Sequence, residues 1–381
     1  MSNTSTPLLF PSKPHYEILD GLRGVAALMV VAFHLLEIYA VGDLYVVPFI
    51  PHGYLAVDFF FVLSGFVIGY AYDDRWGKMN LREFFKRRII RLQPMVVLGG
   101  IIGAVCFYFG AGEQFPLIAE TPWWKLLLVA VIGCLLLPIP PAWDVRVWGE
   151  MFPLNGPAWS LFYEYIGNIL YALIVRRLPK LILTIVVALC GVALVRLAVW
   201  GGMGSVLGGH MLTGEQFLIG MTRLAYPFFC GILLFRLGRL IRLRGGFWWC
   251  ALVLALALAF PRLGGTEQLW QNGLYEAGII LFLFPLLVLT GAGSPIRGKV
   301  SVGICRFLGR ISYPLYIIHY PFVYLFMAYV TEHKLSVSES WPLMIAVGAG
   351  CVALAYGAMR LYDEPVRAWL RQRFLGRRTA A

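Results

Sequence analysis

The stretch Asp20–His34, DGLRGVAALMVVAFH, decides how the rest of the chain is read. It is an apolar run carrying two groups that hydrocarbon normally excludes, Arg23 and His34. Eleven residues separate them, close to three whole turns at 3.6 residues per turn, so both project from one helix face about 16 Å apart along the axis. That distance is about half of a hydrocarbon core of roughly 30 Å. A fixed cation near one surface and a titratable imidazole well inside, on one stripe, point to a binding path that runs into the membrane. The competing reading lets Arg23 snorkel to the headgroups and gives His34 a hydrogen bond to a neighbouring helix.

The remainder of the 381 residues supports a membrane setting: 60% are hydrophobic, only 14% are charged, and the mean hydropathy is +0.75. Apolar runs near 20–40, 53–72, 91–110, 157–176, 181–200, 217–236, 247–263, 270–290, 311–330 and 341–361 each approach the roughly 20 residues a spanning helix needs. The expected fold is therefore all-α, a polytopic integral membrane helix bundle of about ten spanning helices. It occupies residues 19–365, between a cytoplasmic tail at 1–18 and a basic cytoplasmic tail at 366–381. The net charge of +12 does not signal nucleic acid, because no long soluble segment exists to carry a basic face. The seven cysteines lie almost entirely in apolar runs without metal or redox spacing, so they read as small core residues and no metal is expected. The first run opens with Asp20 and Arg23 and lacks a small-residue cleavage site, so it is expected to stay as a helix.

An eleventh run, 124–137, is shorter and ends in Pro138, Pro140 and Pro141. Short cytoplasmic loops accumulate Lys and Arg, and this bias decides whether the run spans. If it does not, most of the 32 basic residues face the cytoplasm together with both termini: Lys13, the clusters at 75–91, 176–180, 236–244 and 297–310, and those at 360–378. If it does, the later clusters are inverted. The expectation is thus an outer re-entrant or interfacial piece around 111–156, with the 73–91 loop lying as an amphipathic helix on the inner leaflet.

On this topology His34, Asp58 in GYLAVDFFFVLSGF and Glu164 in PAWSLFYEYIGN lie about 8–10 Å below the outer ends of three different helices. Glu37, three residues after His34, meets it on the same helix face. A carboxylate accepting from one imidazole nitrogen fixes the tautomer and raises the basicity of the other, which makes a general base for a hydroxyl. Asp58, Glu164 and Glu37 compete for that place, with a packing role near the headgroups favoured for Glu37. On the cytoplasmic side Arg23, Arg88 and Arg91 gather, and guanidinium forks suit the phosphate oxygens of a donor arriving there. His319, in GRISYPLYIIHYP, is bracketed by Pro314 and Pro321, which mark either a functional break or a kinked packing helix. Ser160, one turn before Glu164, is a nucleophile by position or a helix-packing hydroxyl. Arg223 and Glu276 are further intramembrane ions that suggest structural pairing.

Arg23 and His34 with the ten residues between them, AVDFFFVLSGF, KRRIIRLQP, WSLFYE, and SYPLYIIHYP followed by DEP together resemble the membrane-bound acyltransferase-3 family, over about residues 16–370. The resemblance implies transfer of an acyl group, commonly acetyl from cytoplasmic acetyl-CoA, to a hydroxyl of a glycan, peptidoglycan, lipid-linked sugar or antibiotic. Acyl-CoA is then a co-substrate, no cofactor is permanently bound, and the place is the bacterial inner membrane. The family's arginine–histidine pair falls on Arg23 and His34, its basic motif on Arg88 and Arg91, and its tryptophan–serine–leucine and glutamate motif on Trp159, Ser160 and Glu164. Some relatives add a soluble extracytoplasmic domain that completes transfer; none is read here, which leaves direct delivery and a separate extracytoplasmic partner both open. On this reading His34, oriented by Asp58 or Glu164, deprotonates the acceptor hydroxyl or carries the acyl group itself. The rival class is a secondary transporter, which calls for paired, symmetry-related broken helices that the sequence does not display. Trp123, Trp124, Trp143 and Trp148 suit stacking on a sugar and equally suit interfacial anchoring.

Overall fold

The opening stretch forms one unbroken helix, α1 (Glu17–Leu36), in the computed structural model of the protein, which describes residues 15–375. The outer parts of the expected tails, 1–14 with Lys13 and 376–381 with Arg377 and Arg378, lie outside the described residues. After α1 come α2 (Ala56–Tyr72), α3 (Leu81–Cys106), the short α4 (Leu117–Glu120), α5 (Trp123–Cys134), α6 (Ala158–Leu173), α7 (Lys180–Trp200) and α8 (Gly214–Leu237). The second half supplies α9 (Gly246–Ala259), α10 (Leu269–Gly278), α11 (Phe284–Gly293), α12 (Lys299–Ile318), α13 (Tyr320–Glu332), α14 (Val337–Ala358) and α15 (Glu364–Leu375). Five-residue π turns at Ile279–Leu283 and Met359–Asp363 join α10 to α11 and α14 to α15.

Small residues set the packing, as they must where lipid removes the hydrophobic drive between helices. A Cβ at Gly24 of α1 would stand 2.6 Å from the Leu308 carbonyl of α12, and one at Gly309 would stand 2.6 Å from Asp20 Cβ. Helices α2 and α8 meet the same way: a Cβ at Gly65 would lie 1.9 Å from the Phe228 carbonyl, and one at Gly231 2.1 Å from that of Val62.

Eight helical stretches among the described residues are long and apolar enough to cross a membrane, and α12 with α13, bent by 54° at His319, makes a ninth. The protein is thus a polytopic helical membrane protein. Of the ten runs expected, 247–263 is the one that falls short: α9 has 14 residues, about 21 Å of helix against a core of roughly 30 Å. The 124–137 run does not span. Its helix, α5, has 12 residues; Gln93 Nε2 of α3 donates to the Cys134 carbonyl at its deep end (2.6 Å), and Lys125 Nζ donates to the Asp144 carbonyl (3.1 Å) where the chain has come back up. The turn at the bottom is made by Leu136 in the left-handed region, at φ 56°. Segment 123–144 is a re-entrant hairpin whose ends lie together.

Buried polar groups are satisfied by specific partners. Arg223 of α8 pairs with Asp58 of α2 at 2.6 Å and donates to the carbonyls of Tyr54 and Gly208 at 2.9 and 3.0 Å. Glu276 accepts from Tyr54 hydroxyl, Ser205 Oγ, the Val206 amide and Asn272 Nδ2, while His52 bonds Asn272 Oδ1 at 2.9 Å. Both clusters fasten the 203–209 loop over the helix ends, and a charge so completely bonded is structural.

Candidate active site

His34 stands in the last turn of α1, where the chain tightens into the turn Glu37–Tyr39. That tightening brings the Glu37 carboxylate back over the imidazole, and Nδ1–H donates to Glu37 Oε2 at 2.8 Å. Because Nδ1 carries the hydrogen, Nε2 holds the lone pair, and it has no hydrogen-bond partner among the described residues. The ring is walled by aromatics from the α12–α13 bend: His319 stacks on it at 5.5 Å between centroids and 29°, and Tyr320 meets it edge-on at 4.7 Å. His319 Nδ1 faces the Leu315 carbonyl at 3.0 Å, so its Nε2 also presents a lone pair; that atom is buried and unpartnered. Two neutral-capable imidazoles with open Nε2 atoms, one oriented by a carboxylate, make a site for abstracting a hydroxyl proton.

The expectation that Asp58 or Glu164 orients His34 is corrected by these contacts. Asp58 is fully engaged by Arg223, and Glu164 accepts from Arg88 Nη2 at 2.6 Å and from Ser64 Oγ at 2.8 Å. Glu37, favoured for packing, is the acid on the histidine. Trp159 lies under the Arg223 guanidinium, 5.1 Å from its centroid, and Ser160 Oγ bonds the Tyr316 hydroxyl at 2.7 Å and the Pro157 carbonyl at 3.0 Å, so both support the wall of the site.

One acid in this region gave no sequence signal. Glu150 sits in the loop after the re-entrant hairpin, where neither periodicity nor apolar flanks announce burial, yet it is 7% exposed. The Tyr324 hydroxyl donates to its Oε2, and a Cβ at Gly156 would touch both its Oε1 and the Tyr320 ring. Burial pushes its carboxyl up to about 8, against the pull of the Tyr324 hydrogen bond and of Arg146. Arg146 is itself buried, 3.7 Å above the Tyr324 ring, and burial lowers its affinity for the proton. Glu37 interacts electrostatically with Glu150, and the Tyr320 hydroxyl reaches Glu37 at 3.4 Å, so the two acids and the imidazole belong to one neighbourhood.

Toward the other end of α1, Arg23 donates to Ser312 Oγ (2.8 Å) and to the Gly309 carbonyl (2.9 Å) and pairs with Asp20 (3.0 Å). Arg91 lies within electrostatic reach of Arg23 and Arg88, so the three cations named from the sequence do come together. Arg88 Nε is buried without a partner. The arrangement therefore has two stations, an oriented imidazole at one end of α1 and, toward the other end, a cluster of guanidiniums made by Arg23 of α1 with Arg88 and Arg91 of α3. No group of His, Cys, Asp or Glu able to hold a metal is found among the described residues.

A family model described as an acyltransferase domain matches residues 16–360. The chain is 26% identical to the peptidoglycan O-acetyltransferase OatA of Listeria monocytogenes over 390 aligned positions, 93% of this chain and 56% of that protein. It is 36% identical over 165 residues to protein 2 in the picA locus of Rhizobium radiobacter, covering 41% of this chain and 80% of that one. With the acyltransferase MdmB of Streptomyces mycarofaciens it shares 29% identity over 168 residues, 42% of this chain and 40% of the other. The chain spans about half the length of the Listeria relative, which it matches over nearly its own full length. No solved structure matches it.

Proposed function

Because the chain belongs to the acyltransferase family whose model spans residues 16–360, we propose that it is a membrane O-acyltransferase moving an acyl group, acetyl by preference, from cytoplasmic acyl-CoA to a hydroxyl of an envelope or secreted glycan. It lies in the bacterial inner membrane with both termini cytoplasmic. The observation that carries the reading is the 2.8 Å bond from His34 Nδ1 to Glu37, on the helix that also carries Arg23 about 16 Å away, where Arg88 and Arg91 of α3 join it.

The phosphates of the CoA head rest on Arg23, Arg88 and Arg91, and the pantetheine arm follows α1 toward His34. His34 Nε2 takes the proton from the acceptor hydroxyl while Glu37 holds the ring and offsets the charge it gains. The hydroxyl oxygen forms its bond to the thioester carbonyl carbon, the carbon–sulfur bond breaks, and the proton on Nε2 passes to the departing thiolate. No net proton is gained or lost, and no resident cofactor takes part. His319, stacked on the ring, keeps the imidazole plane in place.

Membranes containing the protein, supplied with radiolabelled acetyl-CoA, should transfer label to extracytoplasmic carbohydrate, and His34→Ala should abolish that transfer with expression unchanged. Undiminished labelling in the variant would end the assignment. Substrate flux without labelling would favour the transporter class instead. Arg88→Ala and Arg91→Ala should weaken donor binding before they lower turnover, and an unaltered donor affinity would take them out of the site.

A further inference from the structure

The sequence Asp363-Glu364-Pro365 begins on the last residue of the π turn Met359–Asp363, through which α14 continues into α15, and α15 packs against α3. Insertions of this kind inside long helices recur at functional sites. Asp363 is 2% exposed; its Oδ2 receives Arg367 Nη2 at 3.0 Å, and its Oδ1 is buried with no partner. The same carboxylate is within electrostatic reach of Arg91 and Arg371, and Arg371 is within reach of Arg367 and Arg87. Glu364 is held by Arg310 at 2.7 Å and Arg360 at 3.5 Å. Among the described residues neither Arg91 nor Arg371 makes an ion pair. Arg371, so left without an ion pair, is exposed beside Arg367, and like charges this close favour an anion from outside.

The position of these like charges names the anion. Arg367 and Arg371 stand four and eight residues beyond Asp363, about 6 and 12 Å farther along α15, from the level of Arg91 toward that of Arg87. They lie on one helix face. A CoA head carries a second phosphate group, a monoester on the ribose, that remains outside when the pantetheine arm is inserted. We infer that Arg367 and Arg371 of α15 bind the ribose 3′-phosphate of the donor, with buried Asp363 fixing Arg367 in place. This rests on the acyl-CoA reading above.

The test is competition of CoA and of 3′-dephospho-CoA against radiolabelled acetyl-CoA bound to the full chain in phosphatidylcholine vesicles, with and without phosphatidylglycerol. The wild type should bind CoA about tenfold more tightly than 3′-dephospho-CoA, the size expected for one charge-assisted contact. In Arg367→Gln/Arg371→Gln that ratio should fall close to one. Arg371→Gln alone, which breaks no hydrogen bond, should lower it in the same direction if the double variant does not fold. A ratio equal in wild type and variants overturns the assignment. So does a variant whose only change is its response to phosphatidylglycerol, which would make a lipid headgroup the ligand. Absence of labelled acetyl-CoA binding in the wild type would instead bring down the acyl-CoA reading itself.

Discussion

At the scale of single residues the decisive contact is local, three positions along one helix, whereas the sequence favoured partners from other helices. Glu37→Gln should keep the ring near its place but remove the charge that stabilises the protonated imidazole. Acyl transfer should then fall by about 10²-fold or more at unchanged expression, measured as label transferred per protein; activity within twofold of wild type would show that Glu37 only packs. Asp58 tells the complementary story. Removing it leaves Arg223 charged and buried, so Asp58→Ala should cost about 3–5 kcal/mol, seen as loss of folded protein in detergent, and Asp58→Ala/Arg223→Met should recover much of it. Rise per residue grouped Asp58, Glu164 and His34 by their distance from the helix ends, but Glu164 stands with Arg88 at the cationic station and away from the imidazole. That rise could not give the direction in which each side chain turns, and buried carboxylates turn to guanidiniums. Arg223, read only as an ion without a role, and Arg88 had already claimed those two acids.

At the scale of elements the re-entrant hairpin leads into the loop that buries Glu150 against Tyr324. Single cysteines at Lys125 and Asp144 should be labelled by an impermeant thiol reagent from the same side of the membrane, opposite to one at Arg177; labelling from different sides would make α5 a span. The sequence anticipated this hairpin from charge bias, since a misassigned span inverts every later loop, and the fold agrees with it. It had no way to foresee Glu150, whose burial depends on the loop folding back onto Tyr324. The carboxyl of Glu150 has a folded-state value of about 8, above its ordinary one of 4.5. The folded state therefore binds more protons than the unfolded state between those values, and this group's contribution to stability is complete below about pH 4.5 and is lost as pH rises through 8. Thermal melts in detergent should show wild type losing stability from pH 5 to pH 8 more steeply than Glu150→Gln. Parallel slopes for the two would show that the loop is not held through this acid.

At the scale of the whole molecule, composition alone sufficed for the class, because a chain this apolar and so sparsely charged has no soluble alternative fold. The number of spans was less legible: apolar runs mark helices, yet α9 is too short to cross and α12–α13 bends at a proline-flanked histidine. On the proposed topology, tags at both ends should be accessible only from the cytoplasm, and a C-terminus exposed outside would reverse every assignment of donor and acceptor face. Arg23 of the cationic station and the imidazole of His34 share one continuous rod of backbone, α1. A helix resists stretching, so α1 acts as a gauge block: the interval between the gripping end and the reacting end stays the same whatever the cargo. Selection then falls on the handle of the donor as much as on its acyl group. An acetyl group mounted on a short carrier such as acetyl phosphate would be seized by its head and stop well below the base, which would protect the cell from wasteful discharge of its smaller activated acids.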